Sequence, residues 1–364
     1  GQVIPVGNGE AVITAKSNGQ AATTRVIVEQ FEVPQHWSFR NHVQSVLSKT
    51  GCNSGACHGA SAGKNGFKLS LRGYDPEADF FAITRQSRGR RVVADDPGRS
   101  LILTKPTGAI PHKGGVRFAE DSLEYKVIAE WIAQGQAGPS TDDPRITRLE
   151  ILPEASRLVA GVEQQMIVRA HFANGRIEDV TRWAKFTATN HTVCTVDDRG
   201  LVKVTGSGEG AVVAWYLAQN TTATVTVPYV QQVAPEVFAN AKRANFIDDL
   251  ILEKLAALNI PPSPRSSDSE FLRRVYLDTI GLLPTADEAR AFLEDSDADK
   301  RQKLIEQLLS RPEFVDYWAY QWSDLLLLTG SRLRPQAIKS YYQWIRERVA
   351  NNVPWDEFAR GVIL

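Results

Sequence analysis

Sulfur is scarce in this sequence, which has three cysteines and one methionine, Met166, in 364 residues. So few thiols cannot hold a fold of this size together by disulfides. An excess of one charge is also missing, because 42 Lys and Arg balance 42 Asp and Glu. No overall field then draws the chain to nucleic acid or to an anionic membrane. Long apolar runs are absent too. None approaches the roughly 20 residues of a membrane-spanning helix, so no transmembrane segment is expected. The opening residues, GQVIPVGNGEAVITA, carry neither the basic nor the apolar region of a signal peptide. With no initiator methionine, and no helix cap at Gly361-Val362-Ile363-Leu364, the chain reads as one cut from something longer.

What is present suits two to four domains, each able to bury its own core. Two stretches resemble each other: GEAVITA leading to TTRVIVE from Gly9, and GEGAVVA leading to TATVTVP from Gly208. Each reads as a small-residue turn and two alternating strands, the closing hairpin of a β-sandwich. Residues 1–30 are therefore expected to be the C-terminal part of one sandwich. A second sandwich is expected over residues 146–229, with earlier strands near 146–152, 165–172, 192–196 and 201–205 at turn-separated spacing. Its stretch from Val168-Arg169-Ala170-His171-Phe172-Ala173-Asn174-Gly175 to Asp179-Val180-Thr181 resembles the bacterial immunoglobulin-like (group 2) domain. Cys194 reads there as a buried small hydrophobe at strand spacing.

Residues 36–140 read as helix and loop. Phe39, Val43, Val46 and Leu47 recur at helical spacing before Gly51, and Tyr125, Ile128, Trp131 and Ile132 do so before Gly135. Residues 136–144 have the composition of a linker. From 240 to 364 the pattern is helical, with capping boxes expected at Ser267-Asp268-Ser269-Glu270 and Thr285-Ala286-Asp287-Glu288.

The chemistry concentrates at Thr50, where TGCNSGACHGA places four residues between Cys52 and Cys57 and sets His58 directly after the second thiol. A c-type haem site needs two thiols for the two vinyl groups and an adjacent imidazole for the iron, usually with two residues between the cysteines. The small residues Asn53, Ser54, Gly55 and Ala56 let the longer loop bulge while Cys57 and His58 keep their mutual geometry. The two flanking helices supply a frame in which Phe39, Val43 and Trp131 would pack with the porphyrin. A zinc site completed by His112 and one of His36 or His42 stays open as an alternative, as does a plain disulfide.

The sixth iron ligand is the informative unknown. Met166 falls on a sandwich strand, which leaves His112 in the loop Ala109-Ile110-Pro111-His112-Lys113-Gly114-Gly115 as the first choice. His42 is the second, an absent ligand the third, and His36 reads as linker. Arg88, Arg90, Arg91, Lys105 and Arg117 are available for haem propionates, with no single one favoured.

These residues carry a further resemblance. The run from Leu47 to Gly59, then Gly66-Phe67-Lys68-Leu69-Ser70-Leu71-Arg72-Gly73 and Pro111-His112-Lys113-Gly114-Gly115-Val116-Arg117-Phe118, is similar to the planctomycete-type cytochrome c domain. The tail, through Asp268-Ser269-Glu270-Phe271-Leu272-Arg273-Arg274-Val275-Tyr276-Leu277-Asp278 and Gly281-Leu282-Leu283-Pro284-Thr285, resembles the helical domain of unknown function that accompanies it in large secreted planctomycete proteins. The resemblance implies covalent haem c, export to the periplasm or beyond, and no settled reaction.

The expected fold class is thus multidomain: an α-helical cytochrome c-like domain, an all-β Ig-like sandwich and an all-α C-terminal domain. Electron transfer through haem held by Cys52, Cys57, His58 and His112, with His58 and His112 on iron, is the expected function, toward a redox partner the sequence does not name. Two alternatives stand beside it. One is an enzyme acting on polysaccharide, with Asp278, Asp316 and Asp324 lying among Tyr317, Trp318, Tyr320 and Trp322. The other is a surface adhesion or scaffold protein.

Overall fold

The computed structural model describes residues 3–17 and 19–363. The chain has both β-sheet regions and a C-terminal helical region, and it divides into two compact units, Gly1–Pro262 and Ser263–Leu364. Leu364, the last of the expected exposed aliphatics at the chain end, lies outside the described residues.

The first strands, Gly9–Ser17 and Gln20–Val28, pair antiparallel from Gly9 opposite Val28 to Ser17 opposite Gln20. Later in the chain Gly208–Tyr216 and Gln219–Val227 pair in the same way, from Gly208 opposite Val227 to Tyr216 opposite Gln219. The same offset thus separates both strands of one hairpin from those of the other. Their surroundings differ: Val212, Val225 and Val227 are buried, whereas Val12 and Ile27 of the first hairpin are exposed.

The second hairpin closes a sandwich of three small sheets. Ile146–Leu152, Ile167–Phe172 and Ile177–Asp179 form one. Lys185–Ala188 and Ala155–Arg157 flank the hairpin in the second, and Leu201–Val204 lies between Glu163–Gln165 and Cys194–Val196 in the third. The alternating side chains of Val168, Ala170, Phe172, Val202, Val212 and Val225 meet in one core. Met166 and Cys194 are fully buried within it. The helix Phe246–Leu258 is tied to this unit: the Tyr229 amide donates to the Leu258 carbonyl at 2.9 Å, and Lys254 pairs with Glu209 at 2.6 Å.

Between the two hairpins the chain forms a wide π-type turn at Phe39–Val43 that runs into the helix Gln44–Lys49. Ser38 caps it, its hydroxyl accepting from the Asn41 amide. Helices Pro76–Thr84 and Leu123–Ala133 follow, capped by Asp75 and Ser122, with a short turn of helix at Leu101–Thr104. Phe39, Val43, Ile83, Val127, Ile128 and Trp131 make the core. The Phe39 ring sits 5.3 Å from that of Phe80 and 5.4 Å from that of Trp131. The expected packing of Phe39, Val43 and Trp131 around a flat ligand is therefore corrected, since these side chains satisfy one another.

This helical segment is fastened to the sandwich. The Tyr216 hydroxyl donates to the Asn41 carbonyl at 3.1 Å, and the Arg72 guanidinium lies 3.6 Å over the ring of Trp215. Trp183 meets Trp37 and His42 edge-on, and the Lys49 ammonium donates to the Arg182 carbonyl.

Among the described residues the second unit holds six helices: Asp268–Ile280, Ala286–Glu294, Lys300–Leu309, Pro312–Leu325, Pro335–Ala350 and Trp355–Ile363. Leu272, Tyr276, Ile280, Phe292, Leu304 and Leu308 form one cluster and Ala319, Ile345 and Phe358 another. The capping box at Thr285 is complete. At Ser267 only one arm forms, because the Glu270 carboxylate turns instead to Arg274 at 2.6 Å. A full box at Asn245 and Asp248, absent from the sequence expectation, starts the helix Phe246–Leu258.

Candidate functional site

The loop between Cys52 and His58 is closed by its own backbone. The His58 amide donates to the Cys52 carbonyl at 2.9 Å, while the amides of Cys57 and Gly59 both donate to the Ser54 carbonyl at 3.0 Å. The extra residues fold under Gly59: a Cβ there would lie 2.0 Å from the Asn53 carbonyl oxygen. Asn53 is fully buried, donates to the Ser48 hydroxyl at 2.9 Å, and through its carbonyl accepts from the Arg72 amide at 3.1 Å. Four intervening residues are thus accommodated without displacing Cys57 from His58.

Cys52, Cys57, His58 and His112 all line one cavity of about 970 Å³. That volume lies at the upper end of small-molecule and cofactor pockets, about 300–1,000 Å³. Leu47, Phe67, Leu69 and Ile102 supply its apolar wall. Six cations line it as well, Lys64, Arg90, Arg91, Lys105, Lys113 and Arg117, with no carboxylate among the lining residues. Arg88 is not among them. Arg91 is buried, donates to the carbonyls of Ala82 and Gln86, and stacks 4.2 Å over the Phe67 ring.

The rings of His58 and His112 are parallel to within 7°, with centres 6.4 Å apart. His58 Nδ1 lies 3.0 Å from the Phe67 carbonyl oxygen and His112 Nδ1 lies 3.0 Å from that of Gly115. A carbonyl can only accept, so each Nδ1 carries a proton, and the neutral form of a ring held this way has its lone pair on Nε2. Burial holds the His58 pKa below the usual imidazole range, helped by His112, Arg91 and Arg117, against the Phe67 carbonyl that raises it. The neutral form of His58 is therefore favoured.

The two thiols differ. Cys52 is buried, 3.3 Å from the Thr50 hydroxyl, and burial raises its pKa. Cys57 is half-buried, and the Arg117 guanidinium donates to its sulfur at 3.3 Å. Both are free thiols. Among the described residues no group of three or more His, Cys, Asp or Glu gathers as a metal site, so the ligand set that zinc would need is not assembled.

His42 faces elsewhere. Its Nδ1 accepts the Ser38 backbone proton at 3.0 Å, and its ring lies 5.1 Å from Trp37 and 5.7 Å from Trp183. The lone pair a metal would use is already engaged. His36 is exposed, and neither it nor His42 lines the cavity.

Asp316 pairs with Arg346 at 2.7 Å, and Asp278 and Asp324 are exposed. A shallow groove of about 500 Å³ in this unit is lined by Phe314, Trp318, Trp322, Trp355 and Phe358 among others, with no carboxylate. The acid pair that glycoside chemistry requires is not present in it. No helix among the described residues is long and apolar enough to cross a membrane.

Sequence reasoning did not foresee Arg117 as the partner of Cys57, nor Phe67 and Gly115 as the carbonyls that orient the two imidazoles. Comparison with known proteins bears on the helical tail. Residues 246–364 match the family model PSCyt2, described as a protein of unknown function (DUF1549), consistent with the resemblance read in that stretch. No curated protein matches the chain. Similar solved structures include domains 4 and 5 of the S-layer protein SbsC, at 12% identity, TM-score 0.20, covering 23% of this chain and 53% of that one. Domains 5–6 of the same protein match at 13% identity and TM-score 0.22, over 25% of this chain and 48% of that one. The chain thus spans about half the length of these two structures.

Proposed function

We propose that residues 36–140 bind haem c covalently through Cys52 and Cys57, with His58 and His112 on the two sides of the iron. In this reading the protein is an exported electron-transfer module. The observation that carries it is the pair of parallel imidazoles whose Nδ1 protons are both held by backbone carbonyls, across a cavity that also presents both thiols. Metal-binding histidines characteristically give their other ring proton to a carbonyl or carboxylate in this way.

The chain's own residues divide the work. Leu47, Phe67, Leu69 and Ile102 exclude water from the flat apolar faces, and the half-buried Lys105 and Arg117 offer charge to the anionic edge. His58 and His112, oriented by Phe67 and Gly115, present Nε2. Haem bound there would supply a one-electron centre, and two imidazoles would set its potential below that of an imidazole–thioether pair. Export rests on the resemblance of the Cys52 to Arg117 stretch to the cytochrome family.

The test is a pyridine haemochrome spectrum of protein made with c-type maturation, which reports saturation of both vinyl groups. Covalent haem with a low-spin spectrum that turns high-spin in His112→Ala is the expected result. A low-spin spectrum unchanged by that substitution removes His112. Protein carrying no covalent haem removes the reading.

A further inference from the structure

We infer that the mouth of the cavity is a docking surface for an acidic redox partner, an inference that rests on the haem reading above. Six cations and no carboxylate line the cavity of a chain whose charges balance overall. Among the described residues Lys64, Arg90, Lys105, Lys113 and Arg117 form no ion pair with any carboxylate, and no carboxylate in the cavity wall compensates their charge.

Depth separates these cations. Arg91 is buried and spends its donors on the Ala82 and Gln86 carbonyls. Lys105 and Arg117 are half-buried, and two cations suffice for the two carboxylates of a haem. Lys64, Arg90 and Lys113 are left over as exposed lining residues of the cavity. Exposed cations with no carboxylate beside them complement an acidic patch on a protein. They repel positively charged surfaces, and so select partners and raise the rate of productive encounter.

The test uses the haem-loaded chain and two small oxidants of opposite charge. In each reaction one electron leaves the reduced protein, turning ferricyanide into ferrocyanide or tris(phenanthroline)cobalt(III) into its cobalt(II) form. Between about 10 mM and about 300 mM salt, the second-order rate constant with ferricyanide is expected to fall about tenfold and that with the cobalt complex to rise. The double variant Lys64→Gln, Lys113→Gln is expected to flatten both slopes with haem content unchanged. A polyglutamate peptide, its binding followed by calorimetry, should bind the unmodified protein and not the variant. Equal salt slopes for the two oxidants, or a variant that keeps the original slopes or the peptide, overturns the docking surface while leaving haem binding intact. Absence of covalent haem instead removes the electron-transfer reading and this inference with it.

Discussion

His58 and His112 each give the Nδ1 proton to a backbone carbonyl, whereas His42 accepts a backbone proton at the same atom. One atom's role decides which rings keep a free Nε2 lone pair. Gly114 protects that arrangement, because a Cβ on it would lie 2.8 Å from His112 Cε1. Gly114→Ala is therefore expected to push the His112 ring aside and lower the low-spin fraction, with a change in urea midpoint equivalent to less than about 1 kcal/mol because the loop is on the surface. The two thiols and two imidazoles were legible in the sequence by type and by the lack of a local methionine. Their hydrogen-bond partners were not, because Phe67, Gly115 and Arg117 reach the site only through tertiary folding of the intervening loops.

The Cys52 to His58 bulge is an element in its own right, closed by three backbone hydrogen bonds and seated on Gly59. Gly59→Ala would force the Asn53 carbonyl away. Loss of the bulge is expected, by about 2 kcal/mol or more in urea denaturation, together with loss of haem attachment. Regular elements were legible where one face is buried, as in Leu123–Ala133 with its capping serine and in the long strands Gly208–Tyr216 and Gln219–Val227. The helix Pro76–Thr84 was not, because it reverses the usual pattern. Asp79 is buried there, held by Ser70 and Gln44, while Phe81 is 60% exposed. Ala155–Arg157 and Glu163–Gln165 escaped for a different reason, being three residues long and too short for alternation to register. The half-formed cap at Ser267 gives the converse lesson. The motif was legible, but Arg274 competes for the same carboxylate and no spacing rule weighs the two.

Over the whole first unit, the helical segment and the sandwich share buried contacts, so they are expected to unfold together. Tyr216→Phe removes the hydroxyl that reaches Asn41 and should cost about 1 kcal/mol, lowering the melting of both parts in parallel. Two separate transitions would contradict this coupling. Acid should attack the same seam. Burial, with Arg176 second, lowers the His42 pKa to about 4 against the pull of Asp143. Because the folded value lies below the unfolded one, the unfolded chain binds the proton first. Stability is then full above about pH 6.5 and declines as pH falls toward about 4, by on the order of 3 kcal/mol. A chemical-denaturation series across that range checks it, and His42→Gln should flatten the slope.

Arg72 occupies a particular place in this unit. Its amide holds the Asn53 carbonyl of the cysteine bulge, and its guanidinium rests on Trp215 in the strand Gly208–Tyr216. Fixing the bulge with a covalently attached ligand would therefore restrain the strand Gly208–Tyr216, none of whose residues lines the cavity. Isotope labelling should register it: amide deuteration along that strand would slow on loading, and the Trp215 indole would report occupancy through its fluorescence lifetime.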